Sequence, residues 1–135
     1  ALVASQMSRL HDNIDVRREH FERYNQLLEN VEGIHVPSLR HAKHGHAYNQ
    51  YTIKVYEGKS KRNKLQELLQ EAGVESSVFY PSALSKNPSF FSSEYARRSE
   101  WLSDEVLSLP LYPELKAAEV DYVANAVMRS MKSLA

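Results

Sequence analysis

The sequence predicts an α+β fold: a small, mainly antiparallel sheet with helices packed on one face and a long amino-terminal helix. Three observations lead there. Between Leu2 and about Val31, apolar residues recur at Met7, Leu10, Ile14, Phe21, Tyr24, Leu28 and Val31, a spacing that puts them on one helical stripe. Tyr51, Ile53 and Val55 alternate with Gln50, Thr52 and Lys54, the period of a strand with one buried face. The element order is helix, strand, strand, helix, strand, helix, short strand, helix, which suits one sheet with a helical layer.

Each element has its own signal. The outer face of the first helix carries Arg9, Asp12, Arg17, Arg18, Glu19, Glu22 and Arg23, and Gly33 supplies the positive φ that ends helices. Ile34 to Pro37 is a short strand, followed by a histidine-rich loop from Ser38 to His46. Glu57 and Gly58 turn the chain after the second strand. Ser60 is the expected N-cap of a helix striped by Leu65, Leu68, Leu69 and Ala72 and stopped by Gly73. Val74 to Tyr80 reads as another long strand ended by Pro81, and Pro81 to Ser93 as an irregular loop. Glu94 to Glu105 reads as a helix with Trp101 and Leu102 on its apolar side. Val106 to Leu109 is a short strand before Pro110. Lys116 to about Ser133 is the last helix, with Val120, Val123, Val127, Met131 and Leu134 at helical spacing.

At 135 residues with 42% hydrophobic content, the chain suits one domain with a real core. Seventeen basic residues balance seventeen acidic ones, so no net field draws it to nucleic acid or an anionic membrane. No apolar run approaches the roughly 18 to 20 residues that span a bilayer. The absence of cysteine rules out disulfides and thiolate chemistry and suits a reducing cytoplasm, the expected location. Ala1 falls directly inside a helical pattern, as if the chain started within an element.

Three ordered segments carry a resemblance. The first is His46-Ala47-Tyr48-Asn49-Gln50-Tyr51 entering the strand Thr52-Ile53-Lys54-Val55. The second is Phe79-Tyr80-Pro81-Ser82-Ala83-Leu84. The third is Ser99-Glu100 followed by Asp104-Glu105-Val106-Leu107-Ser108-Leu109-Pro110-Leu111-Tyr112-Pro113-Glu114-Leu115. In this order they resemble the carboxy-terminal small domain of the DegT/DnrJ/StrS family of sugar aminotransferases. Arg17-Arg18 through Tyr24-Asn25 and Leu27-Leu28 resemble that family's Arg-rich helix leading into the small domain. The chain departs from the family at Ser85, where a histidine usually follows Tyr-Pro-x-x-Leu. It departs again at Lys116, where Thr or Ser usually caps the last helix three residues before Glu119, a loss of roughly 1 kcal/mol.

The resemblance implies an aminotransferase-like small domain over residues 1–135, whose helix over 1–32 would join a large domain absent from this chain. It also implies chemistry run on pyridoxal phosphate (PLP), which needs a Schiff-base lysine, a carboxylate for the pyridine nitrogen and donors around the phosphate. In the family these belong to the large domain. The four glycines at 33, 45, 58 and 73 are not clustered, and no lysine stands in a recognisable PLP context, so no catalytic or cofactor residue is expected here. His46, Tyr48 and Tyr80 are the positions expected by resemblance to face the substrate cleft, with Ser85 at a fourth. For His46, a hydrogen bond to a substrate hydroxyl or phosphate competes with a strand-entry histidine satisfied by backbone. Tyr80 reads as a packed aromatic with its hydroxyl at the surface, and Tyr48 as core.

His35, His41, His44 and His46 invite a metal reading, but no cysteine or nearby acid completes a tetrahedral set, and no metal is expected. Lys59-Ser60-Lys61-Arg62 with Lys64 reads as a solvated basic face before a phosphate site. Two functions remain. The chain is either a fragment or remnant of a sugar aminotransferase that does not catalyse alone, or a non-enzymatic binding or assembly module on the same fold. The expected partner is a second copy through the first helix, or a separate large domain.

Overall fold

The computed structural model describes residues 7–38, 45–89 and 96–135, and its architecture is the expected α+β one. A 3-10 turn, Met7–Arg9, leads into α1, Leu10–Leu28. Then come β1 (Ile34–His35), β2 (Tyr51–Val55), α2 (Gly58–Glu71), a 3-10 turn (Leu84–Lys86), α3 (Arg97–Glu105), β3 (Val106–Leu109) and α4 (Ala117–Ser133). The sheet is antiparallel in the order β1-β2-β3. Its register pairs Ile34 with Val55, Ile53 with Leu107 and Tyr51 with Leu109. Those six side chains are buried, so one face of the sheet is apolar from edge to edge. Helix α1 packs on α4, and α2 packs on α3 and α4 and touches β2 and β3. The core between them includes Phe21, Tyr24, Leu28, Leu65, Leu69, Val120 and Val127.

The first helix follows its stripe only in part. Phe21, Tyr24 and Leu28 are buried, whereas Met7 is 57% and Leu10 37% exposed. The carboxy-terminal half of α1 lies in the core and the other half runs past it. Arg23 clasps Asp121 of α4 through Nε at 2.8 Å and Nη2 at 3.0 Å, a bidentate pair that lowers the Asp121 carboxyl pKa and raises that of Arg23.

Gly33 closes this end of the molecule with φ +83°, and a Cβ there would stand 2.7 Å from Met131 Cε. Its carbonyl accepts the Tyr56 N–H at 2.9 Å. The methionine tip can move aside, so the left-handed backbone sets the cost of a side chain at this position. Gly33→Ala is expected to lose about 1 to 2 kcal/mol in urea unfolding, with an unchanged m-value.

Three expectations are corrected. Val74 to Tyr80 is not a strand: it makes one bridge, Ser77 to Ser108, with backbone bonds of 3.0 and 2.8 Å. Its would-be partner β3 is four residues long and ends at Pro110, which has no N–H to give a ladder. The N-cap of α2 is Glu57, left-handed at φ 71°, and Ser60 lies inside the helix. On α3 the inward residues are Ser103 and Glu105, while Trp101 stays 50% and Leu102 39% exposed. Glu105 turns in because Lys54, on the second face of β2, meets its carboxylate at 3.3 Å, and Trp101 lies over the same ammonium, 3.5 Å from the ring centroid.

The basic run on α2 is likewise no uniform solvated face. Lys61 pairs with Glu57 at 2.8 Å, Lys64 with Glu67 at 2.9 Å, and Arg62 is buried. The cap of α4 is half kept. Lys116 makes no side-chain cap bond, yet its N–H donates to Glu119 Oε2 at 2.7 Å, the reciprocal half of a capping box.

Burial raises the phenol pKa values of Tyr24 and Tyr51 above the ordinary 10, with smaller contributions from Tyr112 on Tyr24 and from Tyr24 on Tyr51. The folded chain therefore holds these protons at pH values where the unfolded chain releases them. The stability so gained is complete below pH 10 and is lost as pH climbs toward the folded values. Circular dichroism is expected to show unfolding that sets in above that pH, with a shallower pH slope in Tyr24→Phe.

Candidate functional site

The four sequence-derived cleft residues occupy two places. His46 and Tyr48 form the entry to β2. Tyr48 is buried at φ 49°, with its ring edge-on to Phe21 at 5.3 Å between centroids. Tyr51 continues the stack, 4.9 Å from Phe21 and 4.7 Å from Tyr24, and its hydroxyl donates to Asn25 Oδ1 at 2.7 Å. Such edge and tilted aromatic contacts fix ring positions more tightly than aliphatic packing does. Tyr48 is thus core, as its place beside the strand suggested. Against this block stands the exposed His46, its ring 4.5 Å from Tyr48 and 6.3 Å from Phe21. His46 Nδ1 accepts the Tyr48 N–H at 3.1 Å, so the histidine is satisfied by backbone at one nitrogen and still presented to solvent. From α1, Arg17 donates its Nε–H to Ala47 O at 3.1 Å and pins the same loop.

Tyr80 and Ser85 lie elsewhere, about a groove of roughly 630 Å³. Phe79, Tyr80, Ser82, Ala83 and Leu84 line it from one segment, and Ser99, Leu102 and Ser103 of α3 with Val106 of β3 from another. Tyr80 is 78% and Leu84 70% exposed. Tyr80 is therefore not a packed aromatic: with the Val74 to Tyr80 segment held to the sheet by a single bridge, its ring is left at the rim. Ser85 turns away to donate to Glu100 Oε1 at 2.9 Å, and Lys86 Nζ lies 3.9 Å from Glu100 Oε2. Ser103 Oγ in turn donates to Glu100 O at 2.7 Å. The Ser85 and Lys86 contacts strap the Leu84–Lys86 turn to α3, and the Ser103 bond is internal to the helix. Among the described lining residues none is charged.

Sequence reasoning missed Phe79, Leu84, Leu102 and Glu100. A usable signal was present: Phe79, Tyr80 and Leu84 are large apolar residues in a segment broken by Pro81 and Pro88, where a core role is hard to sustain.

Among the described residues the glycines are not clustered as a PLP phosphate cradle needs. Lys54, Lys61, Lys64 and Lys86 each face a carboxylate, and Gly33, Gly45, Gly58 and Gly73 each serve a separate turn at positive φ. For metals, His41 and His44 lie outside the described residues, and among the described ones no group of three His, Cys, Asp or Glu could hold an ion. No described helix is long and apolar enough to cross a membrane.

A model of the DegT/DnrJ/EryC1/StrS aminotransferase family matches residues 1–128. A pleiotropic regulatory protein of Geobacillus stearothermophilus is 35% identical over 116 residues, 82% of this chain and 30% of that protein. Among solved structures, the aminotransferase TlmJ from Streptoalloteichus hindustanus is similar with a TM-score of 0.88 and 27% identity, covering 97% of this chain and 35% of its own. A DegT/DnrJ/EryC1/StrS aminotransferase from Brucella abortus gives a TM-score of 0.80 at 27% identity, covering 92% of this chain and 32% of its own. The chain spans about a third of the length of these proteins.

Proposed function

Because the chain belongs to the DegT/DnrJ/EryC1/StrS aminotransferase family, we propose that it is the small-domain part of a PLP-dependent sugar aminotransferase, inactive by itself, that supplies one wall of the substrate cleft. The observation that carries this reading is the groove beneath Tyr80. Exposed aromatic and apolar side chains with serine hydroxyls, and no charge among the described lining residues, suit a sugar ring or base and leave the charged cofactor to residues beyond this chain. PLP supplies the electron sink for amino transfer when bound in the whole enzyme. The part assigned to these residues is to bind and orient: Tyr80 packs on the substrate, Ser85 and Glu100 keep the groove wall in place, and His46 meets a polar group at the second place. The turn and α3 move together because Glu100 joins them, so the wall arrives as one piece.

The 3-10 turn and the amino-terminal half of α1, with Met7 and Leu10 exposed, form the face proposed to meet the rest of the enzyme. With that part absent, the same stripe is proposed to pair with a second copy of the chain. Light scattering over a wide concentration range checks this: a concentration-dependent dimer abolished by Leu10→Glu agrees, and a monomer throughout does not.

The test of function is complementation. The chain is mixed with, or fused to, the remaining portion of a family aminotransferase, and amino transfer from glutamate to a keto-sugar nucleotide is followed. Transfer is expected only when both parts are present. Tyr80→Ala is expected to raise KM several-fold with kcat little changed, the pattern of lost ground-state binding. Absence of transfer from every combination that folds would instead favour a binding module.

A further inference from the structure

We propose that the cleft between the carboxy-terminal end of α2 and the start of α4 binds a small organic cation, an ammonium group carried on an apolar stem. This place shares no described lining residue with the groove beneath Tyr80, so the inference stands apart from the substrate-cleft reading.

The cleft has a volume of about 490 Å³. Val74, Leu115 and Val123, all buried, give it apolar surface, and Tyr112 and Tyr122, each about half exposed, add aromatic surface that solvent still reaches. Tyr122 is tethered. From α4, its hydroxyl donates to the carbonyl of Ala72, the residue that ends α2, at 2.8 Å. Its ring therefore keeps one place while half of its surface stays uncovered. Gly73 lines the cleft at φ +73°, and beyond its chain neighbours nothing lies within 4 Å of the position a Cβ would take. The turn after α2 thus leaves room beside the tethered ring.

The charges here are of one sign. Glu75 and Glu119 are the charged residues among the described ones that line the cleft, and no lysine or arginine joins them. Glu119 spends one oxygen on the Lys116 N–H at 2.7 Å and keeps the other. The exposed carboxylate of Glu75 enters no hydrogen bond or ion pair among the described residues. Aligned peptide dipoles put partial negative charge at the carboxy-terminal end of α2, and the opposite partial charge at the start of α4 is offset by Glu119 in its first turn. Carboxylates, a helix carboxy terminus and aromatic faces all attract a cation. No third metal-ligating side chain joins the two glutamates among the described residues, which disfavours a bare metal ion. The apolar surface then decides the class of cation: an alkyl stem lies along the valines and the tyrosine rings while the charged head meets Glu75.

Amide proton–nitrogen spectra of the ¹⁵N-labelled chain test this. The probes are n-butylammonium chloride, sodium chloride at equal ionic strength, and n-butanol as a neutral stem of the same length. Butylammonium is expected to shift the Gly73, Glu75 and Tyr122 amides in a saturable way, with a dissociation constant on the order of 1 mM, as two exposed rings and two carboxylates can supply. Sodium and butanol are each expected to act roughly tenfold more weakly, since each lacks one half of the match. Glu75→Gln, at an exposed position, is expected to weaken binding several-fold and leave thermal unfolding unchanged. Tyr122→Phe keeps the ring and loses only the bond to Ala72 O, so most of the response is expected to remain. Tyr122→Leu keeps apolar bulk without the aromatic face and is expected to lose most of it. Equal responses to the three probes, binding unchanged in both Glu75→Gln and Tyr122→Leu, or no shift at these amides would each overturn the proposal.

Discussion

Tyr51→Ala is expected to be the most damaging single substitution in the chain, costing about 3 to 5 kcal/mol. Tyr51 is fully buried and its ring bridges the two aromatic residues of α1, Phe21 at 4.9 Å and Tyr24 at 4.7 Å. It is also the first residue of β2 and pairs with Leu109, so its loss opens a cavity where sheet, helix and histidine loop meet. Tyr51→Phe keeps the ring and removes only the 2.7 Å bond to Asn25 Oδ1, with an expected cost of about 1 kcal/mol. Chemical denaturation of the three proteins separates the two contributions. Equal losses for Phe and Ala would mean that the hydroxyl, and not the ring, holds this corner.

The second large effect is expected at Arg62. Its side chain is 2% exposed, with Nη1 donating to Val106 O at 3.1 Å and Nε to Asn63 Oδ1 at 2.8 Å. Burial pulls its pKa down and Asp104 pushes it back, yet a guanidinium remains charged at any ordinary pH. Arg62→Ala removes the stem packing and leaves the Val106 carbonyl short of a charged donor, for a loss of roughly 2 to 4 kcal/mol. Arg62→Met restores the stem without the donor and is expected to recover part of that loss. Because Val106 also lines the groove, both variants are expected to disturb the position of Tyr80. Tyrosine fluorescence or side-chain NMR would report this before global unfolding does.

These two residues show what a single sequence can and cannot disclose. The strand at β2 was legible because Tyr51, Ile53 and Val55 alternate with polar residues, and burial of one face is all that such a strand requires. The last helix was legible for the same reason, with Val120, Val123, Val127 and Met131 all turned inward. Arg62 was not. It stands in a run of basic residues whose pattern says solvent, and only the approach of Val106, far along the chain, gives its guanidinium a reason to be inside. Trp101 and Leu102 were misread likewise, since the ammonium of Lys54 draws Glu105 inward and sets which side of α3 turns in, and local periodicity carries no record of it.

Of the candidate site, the residues were nameable and their grouping was not. The motif around His46 and the one around Tyr80 are each visible as letters. That Tyr48 locks the imidazole while Glu100 straps Ser85 is a matter of backbone angles and tertiary contacts. Val74 to Tyr80 failed as a strand because pairing depends on the length of the neighbour, and β3 runs out at Pro110. The exposed aromatic rim that results is the feature on which the functional reading stands.

Amino transfer is proposed to require residues beyond this chain, which supplies binding surface alone. The direct measurement is to incubate the purified chain with PLP, reduce with borohydride, and map the modified lysines by mass spectrometry. Slow, substoichiometric labelling spread over exposed lysines such as Lys59, Lys116 and Lys132 is expected, with no amino transfer detected. Stoichiometric modification of one lysine, accompanied by turnover of glutamate and a keto-sugar nucleotide, would contradict it.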